Sequence, residues 1–160
     1  DSMEKSAEAR EKSRLKDEIS KYLLSKTDFD LPKAVLEREK SRALQEVLRR
    51  NIMNGVTEEQ ISQEKDRIME SVDKSSAERI KLSYILKRIA EAEDIKVEDQ
   101  QVEDRIAEMA PRYRMSPGGL KAELEKRNGM KILKDDILAE STMDFLFGKA
   151  KIKENRSQSK

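Results

Sequence analysis

Ser75-Ser-Ala-Glu-Arg-Ile-Lys-Leu-Ser-Tyr-Ile-Leu-Lys-Arg-Ile-Ala-Glu-Ala-Glu-Asp-Ile-Lys-Val97 is the stretch around which the rest of the chain is organised. Its apolar residues Ile80, Leu82, Ile85, Leu86, Ile89 and Ala90 recur at helical spacing and form a stripe broad enough to pack on more than one neighbour. Ser75, with Glu78 three residues on, has the form of a capping box, in which each side chain satisfies a backbone N–H that the first helical turn leaves unpaired. At the far end Asp94, followed by the β-branched Ile95 and Val97, marks the place where the helix stops and a new segment begins. Everything before and after this helix must cover its stripe or project away from it.

The composition around it is helical. Charged residues make up 42% of the 160 and aromatics 4%, with three Tyr, three Phe and no Trp, so the large side chains that usually anchor a core are scarce. Helix-forming Ala, Glu, Lys, Arg, Leu and Gln dominate, with five Gly and three Pro as punctuation. An all-α chain of one domain by length follows. Lys plus Arg (34) nearly equals Asp plus Glu (33), and the two signs are interleaved, which argues against nucleic acid and anionic lipid as partners. The absence of Cys and His removes thiol nucleophiles, disulfides, and the commonest general base and metal ligand. A cytoplasmic location fits the lack of cysteine. No apolar run reaches membrane-spanning length and no signal-peptide pattern opens the chain. Asp1-Ser2 ahead of Met3 reads as a cloning remnant, so the chain is expected to be a piece of a longer protein.

Outward from the central stretch, residues 3–25 read as a helix with Leu15, Ile19, Tyr22 and Leu23 on one stripe, its first ten residues having little to bury. Ser25 to Asp30 reads as a linker, and Pro32 suits the first turn of the next helix. That helix, to about Asn54, carries Val35, Leu36, Ala43, Leu44, Val47, Leu48 and Ile52. Asn54-Gly55 closes it, and Thr57 with Gln60 repeats the capping-box form before a helix with a thin stripe of Ile61, Ile68 and Val72. So short a turn makes a helical hairpin. If that helix continues into the central one, the rod over residues 57–93 is about 55 Å long. A compact domain of this size is roughly 40 Å across, so part of the hairpin is expected to project.

After the central helix, Val102, Ile106, Met109 and Ala110 mark a helix from about Glu98 to the Pro111–Arg114 region. Ser116-Pro117 starts another, with Leu120 and Leu124, which Asn128-Gly129 ends. The last helix, Met130 to about Lys149, holds Ile132, Leu133, Ile137, Leu138, Phe145, Leu146 and Phe147 and is expected to pack on the central helix. From Lys153 the tail turns polar.

The order of these signals resembles a known family. Leu31-Pro32-Lys33-Ala34-Val35-Leu36-Glu37-Arg38-Glu39, then Ala77-Glu78-Arg79-Ile80-Lys81-Leu82 running to Ile95-Lys96-Val97, then Ala107-Glu108-Met109-Ala110 with Tyr113, and finally Ala150-Lys151-Ile152, look like the C-terminal domain of trigger factor, the bacterial ribosome-associated chaperone. The resemblance runs from about Ala7 to Glu154, and rests on shared order and spacing. It implies an elongated helical body with two helical-hairpin arms forming a cradle for unfolded polypeptide. On that pattern 1–30 is a leading linker helix, 31–74 the first arm, 75–97 the central body helix, 98–128 the second arm, 129–152 the closing body helix and 153–160 a polar tail. The family's Gly-Phe-Arg ribosome-docking loop and its β-rich prolyl isomerase domain have no counterpart here, so neither ribosome docking nor isomerisation is expected. Gly118-Gly119 departs from the family pattern, which keeps helix formers there.

The implied function is that of an ATP-independent chaperone domain that binds unfolded or nascent chains through a concave apolar surface and prevents their aggregation. Such a surface needs scattered, adaptable contacts, and the unbranched thioether of Met supplies them. Met53, Ile61, Ile68, Met69, Met109, Tyr113, Met115, Met130, Phe145 and Phe147 are the candidate lining residues. Phe145 and Phe147, two apart, cannot share one helix face, so one of them covers a second neighbour or stays exposed. No cofactor, metal or catalytic residue is expected. The adjacent carboxylates Asp135-Asp136, Glu58-Glu59 and Glu98-Asp99 diverge by about 100° on a helix and cannot grip one atom together. An apolar lining can also bind itself, so a homodimer is a further expected partner. The competing reading is a helical scaffold that grips one defined folded partner, which would show saturable stoichiometry with one protein.

Overall fold

In the computed structural model the backbone is described over residues 2–158 and side chains over residues 6–150. Among the described residues there are seven α-helices, one 3-10 turn and no strand. The helices are α1 (Ser2–Lys26), α2 (Lys33–Met53), α3 (Glu58–Gln63), α4 (Lys65–Ala92), α5 (Asp99–Met109), α6 (Pro117–Lys126) and α7 (Gly129–Gln158), with Ala110–Tyr113 as the 3-10 turn. The chain divides into two units: residues 1–19 with 86–160, and residues 20–85.

The breaks between helices follow local chemistry. Pro32 caps α2 from just outside it, its carbonyl accepting from the Val35 and Leu36 N–H groups at 3.0 and 3.1 Å. At the other end of α2, Gly55 takes φ 78, letting the Val56 N–H reach the Asn51 carbonyl and the Gly55 N–H reach Ile52, which satisfies the last turn's carbonyls. The capping box at Thr57 and Gln60 forms as expected, with the Thr57 N–H donating to Gln60 Oε1 at 3.0 Å. The same left-handed device ends α4 at Asp94, φ 51, with the Ile95 N–H on the Ala90 carbonyl. Aspartate tolerates that conformation better than most side chains, so the stop read from Asp94 is real.

The second expected capping box is not. Residues 75 and 78 lie inside α4, and the helix is interrupted well before them, at Glu64 between α3 and α4. Ser75 Oγ donates back to the Val72 carbonyl at 3.3 Å, so the serine satisfies itself without breaking the helix. Burial carries the helix through: Val72, Ser76 and Ile80 are sealed at four-residue intervals. Ser76 Oγ has no hydrogen-bond partner at 1% exposure, and a sealed, unpaired hydroxyl costs about 1–3 kcal/mol. Ser76→Ala removes that group and adds helix propensity. It raises stability by about 1 kcal/mol in a urea titration with an unchanged slope.

In the unit of residues 20–85, α2 and α4 run antiparallel: Lys40 Nζ lies 3.0 Å from Asp73, Arg79 lies 3.2 Å from Glu39, and Leu48 shares a groove with Lys65. The residues read as a linker are anchored. Thr27 Oγ1 donates to the Leu23 carbonyl at 2.8 Å, and Phe29 packs edge-on against Tyr84 with centroids 6.3 Å apart under the Lys81 ammonium. Tyr22, placed on the buried stripe of α1 in sequence, is 61% exposed, and Leu24 stands half-buried in its place beside Leu23. Ile52, also counted as stripe, is 62% exposed at the last turn of α2.

The core of the other unit is Val102, Ile106 and Ala110 from α5 and the turn after it, Leu120 from α6, and Leu133 and Ile137 from α7. The packing partners of α7 in that cluster are therefore α5 and α6, where the sequence suggested the central helix. Polar ties ring the cluster: Arg105 to Glu140, Lys121 to Glu103, and Gln101 Nε2 to Ser141 Oγ at 3.2 Å. The backbone of α7 continues past Lys149 to Gln158, beyond the expected end, because nothing from 149 to 158 is Pro or Gly.

Asp144 of α7 is held by Lys16 at 2.6 Å and Lys12 at 3.3 Å, both from α1. Burial pushes its carboxyl up, but the hydrogen bonds and charges of the two lysines outweigh that and hold it below the ordinary aspartate value. The stabilisation is complete above the ordinary value and is lost as pH falls through the lowered one. Partial exposure limits its size, so Asp144→Asn costs about 0.5 kcal/mol at pH 7 and nothing at pH 2, as read from urea midpoints across that range.

Candidate functional site

The hairpin of α2 with α3 and α4 leaves an open apolar groove of about 310 Å³. Leu44 and Leu48, four apart on α2, form one wall, with Ile61 of α3 and Ile68 and Met69 of α4 opposite them, and Glu58 and Lys65 at the lip. Ile61, Lys65, Ile68 and Met69 follow one another at i, i+4, i+7 and i+8, so on either side of the break at Glu64 they line the same groove opposite α2. Ile61 and Ile68 are half-buried and Met69 is 39% exposed. Three of the ten expected lining residues are thus brought together. Met53, the most open large apolar side chain described, is 74% exposed at the end of α2, with Arg49 Nη1 3.9 Å from its sulfur.

The remaining six belong to the other unit. Tyr113 and Met115, 59% and 40% exposed, flank Arg114, whose φ of 54 ends the 3-10 turn and turns both outward. Gly119 sits close under the capping Ser116 hydroxyl, 3.1 Å from where a Cβ would stand, while the Met115 thioether end lies at ordinary contact distance, 3.8 Å. Met109 and Met130 pack against the α5–α6–α7 core and are half-buried, so each presents only part of its surface. Phe145 and Phe147 are both half-buried, and each carries a cation on its ring face, Lys149 at 5.1 Å and Lys12 at 5.7 Å. Met143, by contrast, is sealed in the interior.

Sequence spacing does not single out three apolar side chains that the structure leaves at least partly open. Ile132, 60% exposed, was counted with the stripe of α7, yet it lies one residue before buried Leu133 and so about 100° away from the face that packs. Leu44 and Leu48, read in sequence only as part of the stripe of α2, are half-buried and line the groove; their i,i+4 pairing opposite the short stripe after Thr57 is the sequence signal for a groove wall.

Among the described residues no group of three or more His, Cys, Asp or Glu could hold a metal ion, and no helix is long and apolar enough to cross a membrane. Fold and surface together define an all-helical domain that keeps adaptable apolar side chains in the open. The chain matches the family model described as bacterial trigger factor protein C-terminus over residues 1–148, and it belongs to that family. It is 27% identical over 146 residues to the trigger factor of Opitutus terrae, 28% over 148 to that of Bacillus pumilus and 26% over 148 to that of Bacillus subtilis. These matches cover 90–91% of this chain but 33–34% of the relatives, so the chain spans about one third of their length. A solved structure described as domains of trigger factor from Thermotoga maritima superposes with a TM-score of 0.64 at 21% identity, covering 86% of this chain and 81% of that one; the likeness is one of fold.

Proposed function

We propose that this chain is a chaperone domain that holds unfolded polypeptide by apolar contact, without nucleotide, and delays its aggregation. The observation that carries the reading is the groove of Leu44, Leu48, Ile61, Ile68 and Met69, left open on a chain whose surface is otherwise densely charged. Family membership supports a chaperone role. An apolar groove on a charged surface suits repeated weak capture: the charges keep the empty domain dissolved, and burial of client side chains, at about 25 cal/mol per Å², provides the affinity. Methionine at the rim lets one surface fit clients of different shape. On this reading residues 31–74 and 98–128 carry the client contacts, the setting is the bacterial cytoplasm, and the chain binds without catalysing. Unfolded or nascent chains are the partners, and a second copy of the chain competes for the same lining.

The test is aggregation of a chemically denatured client diluted into buffer with equimolar chain, followed by light scattering. Suppression with several unrelated clients is expected. Scattering equal to that with an inert control protein overturns the proposal, and saturable binding to one folded protein alone favours a scaffold instead.

A further inference from the structure

A second cleft flanks α2 on the side away from the apolar groove. Arg42, Ala43, Glu46, Val47 and Arg49 of α2, with Arg79 of α4, line an open space of about 550 Å³. Its charge is unbalanced and its cations are pre-positioned. Arg42 and Arg79 both lean on Glu39, at 3.1 and 3.2 Å, and Arg49 and Arg50 both lean on Glu46, at 3.0 and 3.7 Å. Four guanidinium groups therefore share two carboxylates, leaving two positive charges in excess. Glu39 is 15% exposed in its side chain, whereas Arg42 and Arg79 are 58% and 64% exposed, so the carboxylate sits behind and the guanidinium groups face outward. Glu46 is held below the ordinary glutamate value by the hydrogen bond and charge of Arg49, so it stays ionised and keeps that arginine in place. Between the two charged clusters lie Ala43 and Val47, a small apolar floor.

We propose that this cleft is a docking site for an acidic polypeptide segment, one whose carboxylates meet the Arg42–Arg79 and Arg49 clusters while an aliphatic side chain between them rests on Ala43 and Val47. The guanidinium fork matches a carboxylate with two parallel hydrogen bonds, which favours this chemistry over a general attraction of charge. Arg42 and Arg49 are seven residues apart on one helix, about 10 Å, and their long side chains reach the roughly 13 Å between carboxylates four residues apart in an extended chain, where the side chain midway between them lies on the same face. A polyphosphate backbone fits less well, because Glu39 and Glu46 stand among the arginines and repel a continuous run of negative charge. The inference is independent of the chaperone reading, which uses the opposite flank of α2.

The experiment uses the full chain and a fluorescein-labelled twelve-residue peptide with two glutamates four positions apart and a leucine midway between them, read by anisotropy at low salt. Its glutamine twin, a single-stranded oligonucleotide and anionic phospholipid vesicles run alongside. Binding of the glutamate peptide is expected, weakened about tenfold by the glutamine replacement and by the Arg42→Gln/Arg79→Gln pair. Arg49→Gln, which leaves Glu46 paired to Arg50 and so protects folding, weakens it about threefold, and circular dichroism reports that each variant keeps its helix. Leu44→Ser/Leu48→Ser, which cripples the apolar groove, leaves this affinity unchanged. Equal binding of the two peptides, indifference to the arginine substitutions, loss of peptide binding in the leucine variant, or tighter binding of oligonucleotide or vesicles than of peptide overturns the proposal.

Discussion

Ile106→Ala lowers the stability of the unit formed by residues 1–19 and 86–160 by about 3 kcal/mol, the cost of deleting three buried carbons and leaving a cavity that cannot fully collapse. Ile106 is 0% exposed and stands at the centre of the cluster made by Val102, Ala110, Leu120, Leu133 and Ile137. The effect is large because this core has little redundancy. It contains no aromatic side chain, and every buried member is small or aliphatic, so the apolar area that holds it together is thinly supplied. The salt bridges at its rim, Arg105 to Glu140 and Lys121 to Glu103, do not compensate, since exposed pairs contribute about 0–1 kcal/mol each. Thermal unfolding followed by far-UV circular dichroism shows a midpoint lowered by more than about 10 °C, and hydrogen exchange places the lost protection in residues 99–137. Ile106→Val costs only about 1 kcal/mol. A midpoint for the alanine variant within a degree or two of the parent would mean that Ile106 is not where this unit is held together.

Much of this architecture was legible in the sequence because helix ends are written in local chemistry. Asn54-Gly55, Thr57 with Gln60, Asp94 and Ser116-Pro117 each announce a break by a side chain that satisfies a loose backbone group or accepts a left-handed φ, and each break is present. The failures share one cause. Ser75 with Glu78 has the form of a cap, but whether a serine ends a helix or bonds back to its own preceding turn depends on what the helix is packed against, and Val72, Ser76 and Ile80 are buried together. The actual interruption at Glu64 carries no breaker residue at all; it comes where α3 leaves α2 and α4 begins, a tertiary matter that periodicity does not encode. Exposure was the least legible quantity. Ile52, Ile132 and Tyr22 sit at helical spacing from buried residues yet face outward, since a stripe says which side chains share a face and not how far the covering neighbour extends. The methionines illustrate the same limit: Met53, Met69 and Met115 are open, Met109 and Met130 lean on the core and Met143 is sealed, with nothing in their immediate sequence to separate them.

That separation yields the second large effect. The pair Met53→Gln/Met69→Gln abolishes most of the suppression of client aggregation while leaving the fold intact. Glutamine is close to methionine in length and helix propensity, and both positions are exposed, so the change in folding stability stays within about 0.5 kcal/mol per site. Client binding responds differently. A client side chain that covers the thioether must instead cover an amide, and burying an amide without a partner costs about 1–3 kcal/mol, which lowers affinity roughly fivefold to a hundredfold at each site touched. Met53→Leu/Met69→Leu separates hydrophobicity from adaptability. It preserves the apolar area, so clients are still held, but the branched side chain samples fewer shapes and the range of clients narrows. Light scattering with several unrelated clients distinguishes the outcomes, with circular dichroism confirming equal helix content throughout. Were the glutamine pair to suppress aggregation as fully as the parent chain, capture would have to rest on other apolar side chains, such as the groove residues Leu44, Leu48, Ile61 and Ile68, exposed Ile52, or Tyr113, Met115 and Ile132 of the other unit.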